Sequence, residues 1–221
     1  MLIDKNTVSA EKQMINSSEV SFLGNPNAKK RILVVGNSIT RHGPKADIGW
    51  DHDWGMAASA LEKDYVHRLF AMLTENGQDV YMRIRQAAYW ERNYLKQDVL
   101  SNFEEEKTFQ ADIVIYRLGE NVLEEDKPYF KEALEKFIAY VCPKTGKTLF
   151  TTCFWKNPIV DKAIEEVAKE RKEVCIDCNF SVEEKNMALG QFEHGGVAMH
   201  PSDAGMEEIA KAIFTQLTKG V

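Results

Sequence analysis

Five short apolar runs, each followed by a segment of helical spacing, constrain this chain more than any other feature. Arg31-Ile32-Leu33-Val34-Val35 reads as a buried strand closed by the turn Gly36-Asn37-Ser38. Asp64 to Asn76 then places Val66, Leu69, Phe70 and Leu73 at helical spacing, with Gly77 as a stop. Asp79 to Ile84, Ala111 to Tyr116, Thr148 to Cys153 and Val174 to Cys178 read as four further strands. Tyr94 to Phe103, Lys127 to Val141, Ile159 to Glu170 and Met206 to Leu217 read as the remaining helices. Such alternation favours βαβ units, hence an α/β fold with a mostly five-stranded parallel sheet covered on both faces.

The 221 residues suit one domain with a single sizeable core. Residues 1–30 are polar and irregular and read as an N-terminal extension; the domain spans 31–221. Lys and Arg total 28 against 34 Asp and Glu, a net charge of −6. That balance argues against a dedicated nucleic-acid binder, which needs clustered excess cations. No apolar run approaches the ~18–20 residues that span a bilayer, and the first residues lack a signal-peptide core. The expectation is a soluble, cytoplasmic protein with no membrane partner. The sequence is silent on oligomeric state.

In an open parallel sheet, ligands bind beyond the carboxyl ends of the strands. After the first strand stands Ser38, on a turn that exposes its hydroxyl for nucleophilic use if a base reaches it. A helix N-cap serine is the plainer reading of the same residue. After the third strand come Gly119-Glu120-Asn121, where the Asn121 amide is placed to donate to an oxyanion or to form a turn. Near the C-terminus, His200-Pro201 ends a Gly-rich loop before the last helix, so His200 is a base or a capping residue.

Taken in order, Gly36-Asn37-Ser38, Gly119-Glu120-Asn121 and His200-Pro201-Ser202-Asp203-Ala204-Gly205-Met206 resemble the motifs of the SGNH hydrolases, the GDSL-type esterases and lipases. The resemblance runs across residues 31–218. It implies a flavodoxin-like three-layer α/β/α sandwich and hydrolysis of acyl esters on a small-molecule substrate. Ser38 would be the nucleophile and His200 the general base. Asn121 and the Ser38 backbone N–H would form the oxyanion hole. The family's further backbone donor, in the loop after the second strand, matches Glu91 by position, since Gln86 to Asn93 contains no glycine. The family often orients its histidine with an acid three residues earlier, where this chain has Val197. Glu193 or a backbone carbonyl would take that role; Asp203 sits where the last helix needs a cap. This chemistry needs no metal or organic cofactor.

The segment from Arg41 to Lys63 leaves directly from the Ser38 turn and should wall the pocket. Trp50 and Trp54 within it, with Trp90, Trp155 and Asn37, are the candidate pocket-wall residues. Flat aromatic walls suit sugar rings and acyl chains, although large aromatics equally pin loops to a core. A small-acyl esterase, with acetyl on a carbohydrate as the candidate substrate, is favoured over a lipase. The alternatives are a non-catalytic carbohydrate-binding relative and a flavodoxin-like nucleotide or flavin binder.

Other signals carry less. Gly146-Lys147-Thr148 lacks the upstream glycine of a phosphate-binding loop and precedes a strand. Cys175 and Cys178 have redox-like spacing but lie in a strand run, so they read as structural thiols. Asp51-His52-Asp53 is a poor metal site, since adjacent residues seldom converge on one ion. Glu104-Glu105-Glu106 and Glu124-Glu125-Asp126 read as solvated loop charge.

Overall fold

Every apolar run forms a strand. The structure is a computed structural model that describes residues 19–219, so most of the N-terminal extension lies outside the described residues. β2 (Lys30–Gly36), β3 (Val80–Gln86), β4 (Ile113–Arg117), β5 (Lys147–Thr151) and β6 (Val174–Ile176) run parallel. With β1 (Val20–Gly24) at one edge, the sheet order is β1-β3-β2-β4-β5-β6. Counted along the chain, the five parallel strands therefore lie 2-1-3-4-5, the doubly wound order with a reversal beside its first strand.

The sixth strand is a finding that the sequence did not announce. β1 (Val20–Gly24), within the segment read as an extension, pairs antiparallel with the outer edge of β3. It is short, half exposed and paired with a strand some sixty residues on, so local pattern carries little trace of it.

Alternation along the strands builds two cores. Ile32 and Val34 of β2 face one side with Ile84, Ile115 and Leu149 in register; Leu33, Val35, Val114, Tyr116 and Phe150 face the other. The helices α1 (Tyr65–Glu75) and α7 (Asp203–Thr218) cover the first side. The helices α4 (Phe130–Val141) and α5 (Pro158–Arg171) cover the second. This is the three-layer α/β/α sandwich.

The helix expected over Tyr94 to Phe103 is absent. The chain instead makes α2 (Ala88–Asn93), a turn, a 3-10 segment at Val99–Phe103 and α3 (Glu104–Phe109). Asp98 takes φ 63, a left-handed conformation that interrupts any helix. Trp90, Tyr94, Val99 and Phe103 all enter one core cluster, so their spacing reports burial rather than a single helix. Nor is the Glu104–Glu106 run all solvated. Glu106 is buried, with its Oε1 accepting from Arg83 Nε at 2.8 Å. Among the described residues, no helix is long and apolar enough to cross a membrane.

Candidate active site

Ser38 occupies the first turn after β2, at the strand-order reversal. The turn is tight: a Cβ on Gly36 would lie 1.8 Å from Thr40 Oγ1, so only glycine fits. Asn37 holds the turn from beneath, its carbonyl accepting from Thr40 N and Arg41 N and its Oδ1 from Ile39 N. The Ser38 backbone N–H has no partner among the described residues.

His200 reaches Ser38 from the other end of the chain. Ser38 Oγ lies 2.8 Å from His200 Nε2, and His200 Nδ1 lies 2.7 Å from the Gly196 carbonyl oxygen. That carbonyl is an acceptor only, so Nδ1 carries the hydrogen and Nε2 is left to accept from Ser38. Gly196 belongs to α6 (Gly195–Ala198), a single turn just before the histidine. The Gly196 carbonyl thus fills the place for which Glu193 was also a candidate, and Glu193 is exposed. Asp203 points elsewhere: its carboxylate holds Ser59 N and Oγ and Lys63, while Ser202 caps α7. Burial drives the His200 pKa down to about 4, against a raising contribution from the Gly196 contact and the Glu120 charge. The ring is therefore neutral at ordinary pH.

A small apolar cluster fixes this loop against the segment that follows Ser38. Trp50, Met56 and Ala57 pack on Ala188 and Val197, with Phe192 against them. The His200 backbone is tied down as well, its carbonyl accepting from Ala188 N at 2.9 Å.

The two residues and their surroundings open on a cavity of about 250 Å³. Gln86, Ala88, Arg92, Glu120, Asn121 and Trp155 line it together with Ser38 and His200. Trp155 stands edge-on to the His200 ring at 5.2 Å, its Nε1 donating to the Met199 carbonyl. Of the four candidate tryptophans, Trp155 alone lies at the cavity. Trp50 is buried and donates to the His42 carbonyl; Trp54 donates to the Ala58 carbonyl and packs on Trp50. Trp90 is in the core, stacked on Phe137 at 4.5 Å. Trp50 and Trp54 pin their loop, Trp90 packs the core, and none of the three walls the pocket. Asn37 is not a wall either; it lies buried below the floor.

Glu91 plays a part the sequence reading did not assign. Its backbone N–H is spent on the carbonyl of Ala87, which precedes α2, so it is no oxyanion donor. The nearby Ala88 N–H donates to Gln86 Oε1. The Glu91 side chain instead turns inward, fully buried. Its Oε1 accepts from Asn37 Nδ2 at 3.1 Å and from Gly119 N at 2.5 Å; its Oε2 accepts from Asn121 Nδ2 at 2.6 Å. Asn37 Nδ2 also donates to Glu120 Oε2 at 2.6 Å, and Glu120 Oε1 accepts from Arg117 and from Phe154 N. Arg117 is wholly buried beneath them. Gly119 makes this possible at φ 131, where an added Cβ would strike Cys153 Sγ at 2.6 Å. Burial, with the Glu120 charge beside it, pushes the Glu91 pKa up to about 7. Asn121 Oδ1 accepts from Arg92.

Sequence reasoning passed over Arg117, Glu120 and the Glu91 carboxylate. One signal was available for Arg117: a cation ending an otherwise apolar strand run must be buried with a partner.

Asp53 is held by Arg41 through two contacts, Nε to Oδ1 and NH2 to Oδ2, rather than set for a metal. Cys175 and Cys178 are free and fall on opposite faces of the sheet.

No family model matches this chain, and no curated protein matches it in sequence. Solved structures share its fold. An α/β hydrolase, LAE5, from the metagenome of Lake Arreo, Spain, aligns with a TM-score of 0.59 at 16% identity, covering 85% of this chain and 94% of that one. Axe2, an acetylxylan esterase from Geobacillus stearothermophilus, aligns at 0.55 and 16% identity over 86% of this chain and 95% of its own. TesA aligns at 0.50 and 18% identity over 86% and 98%.

Proposed function

We propose that this chain is a serine esterase of the SGNH type that hydrolyses small acyl esters, acetyl foremost, with a carbohydrate as a candidate alcohol component. One observation carries the reading: Ser38 Oγ and His200 Nε2, 162 positions apart in sequence, approach to 2.8 Å at the mouth of a cavity. That is the separation a general base needs to take a hydroxyl proton. The acetylxylan esterase among the fold neighbours and the modest cavity favour a short acyl group.

In this reading, His200 Nε2 takes the Ser38 proton as Oγ attacks the ester carbonyl. The oxyanion is met by the unpartnered Ser38 N–H and by the second Asn121 Nδ2 hydrogen. Each such donor contributes roughly 2.7–4 kcal/mol in comparable sites. Collapse expels the alcohol, which takes the proton back from His200. Water then attacks the acyl-enzyme with His200 again as base, and the acid leaves. The imidazolium is supported by the Gly196 carbonyl and by the charge of Glu120 in place of a directly bonded acid.

The test is turnover of p-nitrophenyl acetate and of acetylated xylo-oligosaccharides by wild type and Ser38→Ala. Turnover lost by roughly 10,000-fold in the variant supports the reading. Equal rates overturn it, and sugar binding without turnover selects the non-catalytic alternative.

A further inference from the structure

The Asn121 amide has two nearly isosteric orientations, and only its partners decide between them. Here the partners are opposite in kind. Glu91 Oε2, on the Nδ2 side, is a carboxylate that can only accept. The Arg92 guanidinium, on the Oδ1 side, can only donate. We infer that Glu91 is a positioning residue, whose buried carboxylate acts with Arg92 to fix the Asn121 amide with its nitrogen end available to the cavity. The inference rests on the reading of Asn121 as an oxyanion donor.

Nδ2 has two hydrogens; one is used by Glu91, and the other is free for the cavity that Asn121 lines with Ser38 and His200. If Glu91 gains a proton, the proton goes to Oε2, because Oε1 already accepts two N–H groups. Oε2–H then confronts Nδ2, donor against donor. Turning the amide over relieves that conflict only by setting Nδ2 against the permanent cation of Arg92. A neutral Glu91 therefore breaks one of the two contacts, whichever way the amide lies.

The surroundings make that protonation reachable. Burial raises the Glu91 pKa, and the Glu120 charge, on the loop after β4 and facing Glu91 through the shared Asn37 Nδ2, adds to it. The Arg117 cation beneath is already engaged by Glu120 and by Asn37 Oδ1. Arg92 lies beyond Asn121, and His42 and His200 line the cavity.

The same accounting predicts that Glu91→Gln cannot reproduce the contact. With its new amide oxygen facing Asn121, the variant sets its NH2 against Asn37 Nδ2 and Gly119 N. With the amide reversed, that NH2 faces Asn121 Nδ2. Glu91→Asp keeps the acceptor but shortens its reach.

Two measurements test this: kcat and KM on p-nitrophenyl acetate against pH, and the side-chain 15N–1H signals of Asn121 against pH, in wild type, Glu91→Gln and Glu91→Asp. Wild-type kcat should rise with pH through a limb in the neutral range, well above the His200 limb. Glu91→Gln should lower kcat about 100-fold, the scale of one lost oxyanion donor, with KM little changed and the neutral limb gone. Glu91→Asp should recover part of kcat and shift the limb. The wild-type Asn121 signals should titrate with that limb and stand still in Glu91→Gln. Wild-type kcat in Glu91→Gln, a limb that survives the substitution, or Asn121 signals indifferent to pH would each overturn the inference. Should Glu91→Gln not fold, the shifted or unshifted limb of Glu91→Asp decides. Absence of Ser38-dependent turnover in wild type would refute the esterase reading instead, and the Asn121 titration would still judge the amide lock.

Discussion

Two buried charge clusters, one on β3 and one at the end of β4, flank β2, and they are built differently. At the β1–β3 edge, Arg83 and Arg85 meet Glu106, Glu105 and Glu19. Each guanidinium also lies over an aromatic ring, Arg83 over Phe22 and Arg85 over Phe103. Every buried carboxylate there touches a cation directly. Beneath the cavity, Glu91 and Glu120 share a region with the buried cation Arg117, which bonds Glu120 and not Glu91. Among the described residues, Glu91 is held by neutral amide donors alone. The difference separates structural pairing from functional poise. At the edge, burial raises the Glu19 pKa against the opposing charge of Arg85, whereas under the cavity burial among neutral donors pushes Glu91 up to about 7.

The contrast can be broken most forcefully at Arg117. Arg117→Met leaves Glu120 without its cation beside the already unpaired Glu91, and breaking such a cluster costs about 3–5 kcal/mol. Urea unfolding should show the loss as smaller at pH 6 than at pH 8, since protons then relieve the carboxylates, and kcat should fall with it. A loss independent of pH would mean that the cluster is not undercompensated. Glu106→Gln is the matching change at the edge: a similar ~3–5 kcal/mol of stability, but unchanged kcat in the folded fraction. A kinetic effect there would erase the distinction between the clusters.

Stability against pH sharpens it further. The Glu91 pKa is raised from 4.5 to about 7, so its contribution is present below about pH 4.5 and fades as pH rises through 7. The His200 pKa is lowered from 6.5 to about 4, so its contribution is present above 6.5 and fades as pH falls through 4. Urea midpoints of Glu91→Gln and wild type should therefore diverge between pH 4.5 and 7. The smallest effect belongs to Glu193→Gln: an exposed side chain away from His200 should move stability by less than about 0.5 kcal/mol and leave kcat alone.

The sheet was legible because Ile32 to Val35 and its counterparts are too apolar to lie anywhere but between two helical layers. The convergence of Ser38, Asn121 and His200 at one rim was legible from motif order and the rule that sites gather at strand ends. Their partners were not. The ring of His200 is oriented by a main-chain carbonyl, one of the two options the sequence offered, but every residue possesses that group and no sequence can mark Gly196 as its source. Glu91 was noticed for its backbone while its side chain makes the contacts at the site, because nothing local reveals that α2 aims that carboxylate inward. The tryptophans misled for a related reason: Trp50, Trp54 and Trp90 flank the site in sequence, yet their large apolar areas are used in packing.

Val197 is where this design becomes fixed. Three residues before the histidine, it is a knob in the cluster that joins the Trp50 segment to the His200 loop. Ser38 and His200 are kept in step mechanically, by two loops that grip the same apolar plug. An aspartate at 197 would therefore place a charge inside the coupling instead of completing a triad. Position 197 is already occupied by packing, and a carboxylate could stand there beside His200 only if the whole plug were rebuilt.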